Sequence, residues 1–146
     1  MFIQIDDVGH AIQLAIAPVF LLAGLGTLLV VLTNRLARII DRTRFVEQRL
    51  RDSAEAECLA ELKTLYLRTH MITAAIWMCT VSGLLVCIVI AMLFVDSTTT
   101  LPLDGHIAGC FVLTMIALMG GFACFLREIS IAFRYMRVQQ RKSLST

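Results

Sequence analysis

The sequence predicts an all-α fold with three transmembrane helices, a cytoplasmic antiparallel helical hairpin and a C-terminal helix. Three observations lead to this prediction. Of the 146 residues, 58% are hydrophobic and only 16% are charged, whereas soluble domains are about half apolar and about a quarter charged. The apolar residues form three blocks that are each long enough to cross a bilayer. The basic residues are confined to two of the four segments outside these blocks, which indicates an orientation.

The three blocks are predicted to be membrane-spanning helices. They cover about residues 11–33, 71–95 and 107–126, and each reaches the roughly 20 residues needed to cross about 30 Å of hydrocarbon. Backbone polar groups find no water in lipid, so each block is expected to be helical throughout. No Lys, Arg, Asp or Glu lies within the blocks, which disfavours a proton relay or a secondary transporter.

The distribution of positive charge predicts the orientation. Segment 34–70 holds eight of the 13 Lys and Arg residues and segment 127–146 holds five, so segments 1–10 and 96–106 hold none. Because basic residues beside membrane spans remain in the cytoplasm, we expect the N-terminus outside and the C-terminus inside. Basic residues follow the first block instead of preceding it, which predicts an uncleaved anchor. The expected location is a bacterial inner membrane or an organelle membrane derived from one.

Segment 34–70 is expected to form a cytoplasmic hairpin that turns near residues 51–54. Together with a C-terminal helix at 127–142 it makes up what we call the stalk. Heptad spacing predicts one packing seam on each arm of the hairpin. The first seam comprises Leu32, Leu36, Ile39, Thr43, Val46 and Leu50, and the second comprises Leu59, Leu62, Tyr66, Thr69, Thr73 and Ile76. The C-terminal helix could pack on the hairpin or lie on the membrane surface, and its continuity with the third block favours the hairpin.

The fold of the hairpin predicts ion pairs between its arms. Arg44 is expected near Glu61, and Arg49 near Glu55 or Glu57. Exposed pairs of this kind contribute about 0–1 kcal/mol, so they would set register more than stability.

Four arginines of the stalk form the first group of candidate binding residues. They are Arg35, Arg38, Arg42 and Arg49, which share one helical face with Phe45 between them. This face is either a solvated surface that sets topology or a binding surface for anionic lipid or an acidic cytoplasmic partner. Basic residues near an anionic leaflet contribute about 1 kcal/mol each to lipid attraction.

Small residues in the spans form a second group of candidates. The second block carries a stripe at four-residue spacing, a pattern that lets another helix approach closely. The stripe comprises Ala75, Cys79, Gly83, Cys87 and Ala91. Such stripes are expected to mediate packing either within the protomer or between the protomers of a homo-oligomer. In the first block, Pro18, Gly24 and Gly26 are hinge candidates, since proline removes a helical hydrogen bond; static packing around a kink is the alternative.

Motifs typical of enzymes and of metal sites are absent from the sequence. It contains no G-x-S-x-G, P-loop, H-E-x-x-H or dinucleotide-binding pattern. The five cysteines form no C-x-x-C pair and are expected to pack as small apolar residues. We therefore name no catalytic residue, metal ligand or cofactor, and the net charge of +2 disfavours nucleic acid as a partner.

The stretch A-P-V-F-L-L-A-G-L-G, followed by N-R-L-A-R-I-I-D-R at the inner boundary, spans residues 17–42. It resembles a family of small bacterial membrane proteins known only as a domain of unknown function. The layout of the remaining chain, a charged segment and two more spans, also resembles that family. The resemblance implies a multi-pass membrane protein and supplies no reaction, substrate or site residue.

The sequence thus predicts an oligomeric membrane scaffold or adaptor that is not an enzyme. Its stalk would be presented to a cytoplasmic partner or to anionic lipid. The alternative is a homo-oligomeric ion channel whose outer mouth is acidic. The outer acids are Asp6, Asp7, Asp96 and Asp104. A third hypothesis, a membrane thiol enzyme, would depend on Cys79 or Cys87.

Overall fold

The computed structural model describes residues 5–52, 56–98 and 104–143, which form three α-helices. Helix α1 covers Ile5–Asp52, α2 covers Ala56–Thr98 and α3 covers Asp104–Ser143. Within these ranges no strand occurs, so the predicted all-α fold with three long helices is confirmed. The 48 residues of α1 rise roughly 70 Å, which is more than twice the thickness of the hydrocarbon layer.

All three helices are long and apolar enough to cross a membrane. The qualifying stretches are Ile12–Arg51, Cys58–Ser97 and Gly105–Arg134. Large apolar side chains remain on the outside of the molecule, as Phe20 and Trp77 show with exposed fractions of 74% and 67%. Apolar surface on this scale needs lipid or another protein to cover it. The chain therefore has the character of a multi-pass membrane protein.

The helices continue past the predicted spans without interruption. Helix α1 runs through Pro18 and on to Asp52, so the first span and the first arm of the hairpin are one helix. Of the turn predicted near 51–54, Arg51 and Asp52 belong to the end of α1, and residues 53 and 54 lie outside the described part of the chain. Helix α3 likewise joins the third span to the expected C-terminal helix.

The chain divides into two compact units. Unit 1 comprises Met1–Leu29 and Met78–Gly120, and unit 2 comprises Val30–Trp77 and Gly121–Thr146. In unit 1 the buried residues are Ala15, Pro18, Leu25, Cys79, Ser82, Val86, Val89 and Thr114. The buried Ser82 Oγ donates a hydrogen bond to the Thr114 carbonyl oxygen at 3.2 Å. A hydroxyl that donates to a backbone carbonyl in this way has a hydrogen-bond acceptor without needing water.

In unit 2 the first predicted seam is the buried face of α1. Burial follows the heptad spacing through Leu32, Ile39, Thr43 and Val46, with Leu36 and Leu50 half-buried. This pattern is typical of helices that pack side by side along their length.

The second predicted seam is only partly correct, since Leu62, Thr69, Thr73 and Ile76 are half-buried. Leu59 and Tyr66 are exposed, and α2 instead buries Leu65, Ile72 and Ala75. The true face also includes Arg68, which a search for apolar residues passes over. Its charge is compensated by a carboxylate of α3. Because that partner lies on another helix, the residue pattern of α2 alone cannot predict it.

Candidate functional site

The centre of unit 2 holds a carboxylate that two arginines share. Glu128 of α3 is fully buried. Its Oε1 accepts hydrogen bonds from Nε and Nη2 of Arg68 at 3.0 and 2.9 Å. Its Oε2 lies 3.0 Å from Nη2 of Arg35 but accepts no hydrogen bond from the described residues, so that contact is purely electrostatic. One side chain from each helix therefore meets at this point.

The shared carboxylate constrains both guanidinium groups. A buried charge is tolerated only when it is paired and hydrogen-bonded, and Glu128 has two cations within contact distance. Arg68 and Arg35 are still 20% and 33% exposed at their side chains. Both arginines therefore contact the buried carboxylate while part of each side chain remains exposed.

A second ion pair joins the two arms of the hairpin. Nε and Nη2 of Arg42 lie 2.9 and 2.7 Å from Oε1 of Glu61. The sequence predicts Arg44 as the partner of Glu61, and that prediction is wrong. Arg44 lies two residues after Arg42 on α1. Helical periodicity explains the difference, because two residues turn a side chain by about 200° around the axis. Arg49 is predicted to pair with Glu55 or Glu57, and the side chains of both glutamates lie outside the described part of the structure.

The arginines surround a cavity of about 390 Å³ in unit 2. Its lining residues are Arg35, Arg38, Ile39, Arg42, Leu65 and Arg68, and we call it the arginine cavity. Ile39 and Leu65 are buried and provide apolar wall. Arg38 is exposed, and within the described residues it forms no hydrogen bond or ion pair. The cavity thus combines four guanidinium groups with a small apolar surface.

Positive charge exceeds negative charge at this cavity. Glu128 and Glu61 are the two carboxylates paired with its arginines. Among the described residues, four guanidinium groups therefore line the cavity and two carboxylates pair with them, an excess of two positive charges. An anion is the ligand that such a cavity suits chemically.

Comparison with known proteins places the chain in a family. A family described as a protein of unknown function, DUF2721, matches residues 15–138. The chain belongs to the DUF2721 family. The resemblance drawn from the sequence is thereby confirmed at the level of a family of unknown function. No curated protein and no solved structure matches the chain.

The predicted arginine face of this DUF2721 chain is divided between two surroundings. Arg35, Arg38 and Arg42 line the cavity. Arg49 does not line it, and its guanidinium carbon lies 5.4 Å from the ring centre of Phe45. Arg42 contacts the same ring at 5.5 Å. Contacts of this kind are cation–π interactions, worth about 0.5–1 kcal/mol at exposed sites.

The predicted packing stripe of α2 changes surroundings along its length. Ala75 and Cys79 are fully buried, Gly83 is half-buried, and Cys87 and Ala91 are exposed. Four residues turn a helix by about 400°, so a strict four-residue stripe drifts around the axis. The stripe begins inside the protomer and ends on its surface.

The hinge candidates lie in a continuous helix. Pro18 is buried, whereas Gly24 and Gly26 are exposed with open space where a Cβ would be. Pro18 and Asp96 line a second cavity of about 410 Å³ in unit 1, together with Leu14, Leu93 and Phe111 among others. Of the outer acids, only Asp96 has a described side chain, and it is half-buried.

Two residues of the site were missed by the sequence analysis: Arg68 and Glu128. Arg68 was counted only as a topology signal. Glu128 is the single acidic residue after Asp104, and it lies two residues after the end of the third apolar block. The signal that could have identified Glu128 is its position as an isolated carboxylate at the edge of a span, because such a group needs a partner. Among the described residues, no group of His, Cys, Asp and Glu is arranged to hold a metal ion.

Proposed function

We propose that the protein is a membrane scaffold or adaptor that uses its basic stalk to bind anionic lipid on the cytoplasmic side of a bacterial inner membrane. The N-terminus would lie outside and the C-terminus in the cytoplasm, as the placement of basic residues favours. The role is one of binding, not catalysis.

The arginine cavity is the observation that carries this proposal. Its arginines, with an excess of two positive charges over the paired carboxylates, lie on α1 and α2, and both helices also hold an apolar stretch long enough to cross a membrane. A basic site close to the headgroup layer meets anionic lipid at high local concentration. Arginine favours phosphate in particular, because its planar fork of donors matches phosphate oxygens.

Lipid retention by the full-length protein tests the proposal. The protein is purified in mild detergent, mixed with phosphatidylglycerol and phosphatidylcholine of equal chain length, and examined by native mass spectrometry. We expect preferential retention of phosphatidylglycerol. The preference should weaken in the double variant Arg38→Gln and Arg42→Gln. Arg44→Gln removes the same kind of charge from an exposed position outside the cavity and should leave the preference unchanged. Equal retention of both lipids by the unmodified protein would refute the proposal.

We further propose that the protein is a homo-oligomer and that its stalk is open to a cytoplasmic protein. Support comes from Cys87 and Ala91, small residues that unit 1 leaves exposed on a membrane-length helix. A second copy could approach closely there. The same native mass spectra report the number of protomers, and replacement of Ala91 by Leu should shift that number towards the monomer. A protein that is monomeric before any replacement would exclude this part of the proposal.

The alternative function is a homo-oligomeric ion channel. The observation that favours it is the placement of Asp96 and Pro18 around one cavity of unit 1, since a carboxylate attracts cations and proline interrupts the helical hydrogen bonds. Cation flux into liposomes would support a channel, and its reduction by Asp96→Asn and Asp104→Asn would support the acidic mouth. Absence of flux would exclude this alternative.

A further inference from the structure

We infer that the arginine cavity is a specific site for a phosphomonoester dianion, as presented by the headgroup of phosphatidic acid or by a soluble phosphate compound. This inference deepens the proposed function and rests on it. The proposed function requires only that the stalk attracts anionic lipid. The inference states which anionic group fills the cavity.

Charge balance is the first argument. Within the described part of the chain, the cavity has two more guanidinium groups than paired carboxylates. A phosphomonoester carries about −1.5 to −2 at pH 7, whereas a phosphodiester carries a single negative charge. Only the phosphomonoester neutralises the excess. A diester such as phosphatidylglycerol would leave about one positive charge without a partner.

The supply of donors is the second argument. Each guanidinium offers five N–H donors. Arg38 donates none of them to a described residue, and Arg42 contacts Glu61 only through Nε and Nη2. A phosphomonoester presents three terminal oxygens where a diester presents two, so it can accept bonds from more of these donors. Charge-assisted hydrogen bonds of this type are shorter and stronger than neutral ones.

Preorganisation is the third argument. Glu128 holds Arg35 and Arg68 in place before any ligand arrives, so less side-chain freedom is lost on binding. Ile39 and Leu65 exclude water from one side of the cavity, which strengthens electrostatic attraction there. The volume of about 390 Å³ falls within the roughly 300–1,000 Å³ of ligand pockets, and it leaves room for the glycerol next to the phosphate.

The test compares four ligands with the full-length protein in detergent by native mass spectrometry and thermal shift. They are short-chain phosphatidic acid, phosphatidylglycerol and phosphatidylcholine with identical chains, and glycerol 3-phosphate, which has the same phosphomonoester without chains. We expect phosphatidic acid to bind about tenfold more tightly than phosphatidylglycerol, the effect of about one charge-assisted bond. Arg38→Gln should remove most of this preference.

Two controls separate a lost site from a lost fold. Arg38 pairs with no described residue, so Arg38→Gln should keep the melting temperature of the unliganded protein. Arg44→Gln should keep both the melting temperature and the preference. If Arg38→Gln melts early, Arg38→Lys serves in its place, because it keeps the charge but loses the planar fork and should bind phosphatidic acid several-fold more weakly.

The outcomes distinguish this inference from the function on which it rests. Equal affinity for phosphatidic acid and phosphatidylglycerol, both above phosphatidylcholine, would overturn the phosphomonoester site and leave anionic-lipid binding intact. Equal affinity for all three lipids would overturn both. A preference for phosphatidic acid that survives Arg38→Gln and Arg38→Lys unchanged would place the site elsewhere and overturn the inference. If glycerol 3-phosphate binds as tightly as phosphatidic acid, the site is confirmed with a soluble ligand as its source; much weaker binding confirms it with a lipid source.

Discussion

Glu128 and Arg68 form a two-bonded ion pair between α3 and α2, and its carboxylate is fully buried. The two bonds converge on Oε1 at 2.9 and 3.0 Å, and Arg35 of α1 approaches the other oxygen. Breaking a buried pair is costly because the remaining charge loses its compensation. The relationship therefore ties the stability of unit 2 to the geometry of the arginine cavity.

Removal of Arg68 should cost more stability than removal of Arg35. Arg68→Gln leaves a fully buried carboxylate without its hydrogen-bonded cation, and we expect a loss of about 3 kcal/mol. Arg35 is a third exposed and gives Glu128 no hydrogen bond, so Arg35→Gln should cost less stability than Arg68→Gln. The measurement is denaturation of each variant in detergent micelles, with Arg44→Gln as the exposed control. Equal losses at both arginines would contradict this assignment of roles.

Alanine should act differently at two glycines of α3. Ala in place of Gly within a helix stabilises by roughly 0.5–1 kcal/mol, and at Gly109 nothing lies within 4 Å to oppose the new Cβ. At Gly120 the new Cβ would collide with the end of the Met78 side chain, whose sulfur would lie 3.0 Å away. Met78 is flexible and can move, so we expect Gly120→Ala to be neutral or mildly destabilising in the same denaturation assay.

The Met78→Ala background provides the control for that prediction. With the longer side chain removed, Gly120→Ala should become as favourable as Gly109→Ala, which a double-mutant cycle measures as a coupling energy. A coupling of zero would show that Met78 does not fill the space beside Gly120.

Two leucines should distinguish the interior of the protomer from its outer surface. Leu32 is fully buried, whereas Leu84 is 63% exposed. We expect Leu32→Ala to lower the free energy of unfolding by about 2–5 kcal/mol through the cavity it leaves. Leu84→Ala should cost far less, because detergent or lipid fills the space. A large loss for Leu84→Ala that depends on protein concentration would instead show that a second copy covers this residue.

Epitope tags at the two ends of the full chain should report opposite sides of the membrane. We expect the N-terminal tag to be accessible to antibody on intact spheroplasts, and the C-terminal tag to become accessible only after permeabilisation. The reason is the confinement of Lys and Arg to segments 34–70 and 127–146, which the positive-inside rule places in the cytoplasm. The reverse pattern, or access to both tags on intact cells, would refute the orientation and relocate the arginine cavity.

Much of the fold could be read from local patterns. Apolar blocks of membrane length predicted three helices, since lipid forces the backbone to satisfy itself. The heptad spacing from Leu32 to Val46 predicted the buried face of α1 correctly. The predicted arginine face contains three of the four arginines that line the cavity. In each case the information lay within one helix and followed from its own periodicity.

The sequence by itself determined that the fold is all-helical with three apolar stretches of membrane length, and that the chain resembles a family of unknown function. Only the tertiary structure decided that Glu61 pairs with Arg42 instead of Arg44, and that α2 buries a face containing Arg68. The physical reason is that a charged residue can occupy a packed seam only if a partner compensates it. That partner, Glu128, lies 60 residues along the chain, and no pattern within α2 contains it. The packing of three helices brings the two charges together and, with them, forms the cavity.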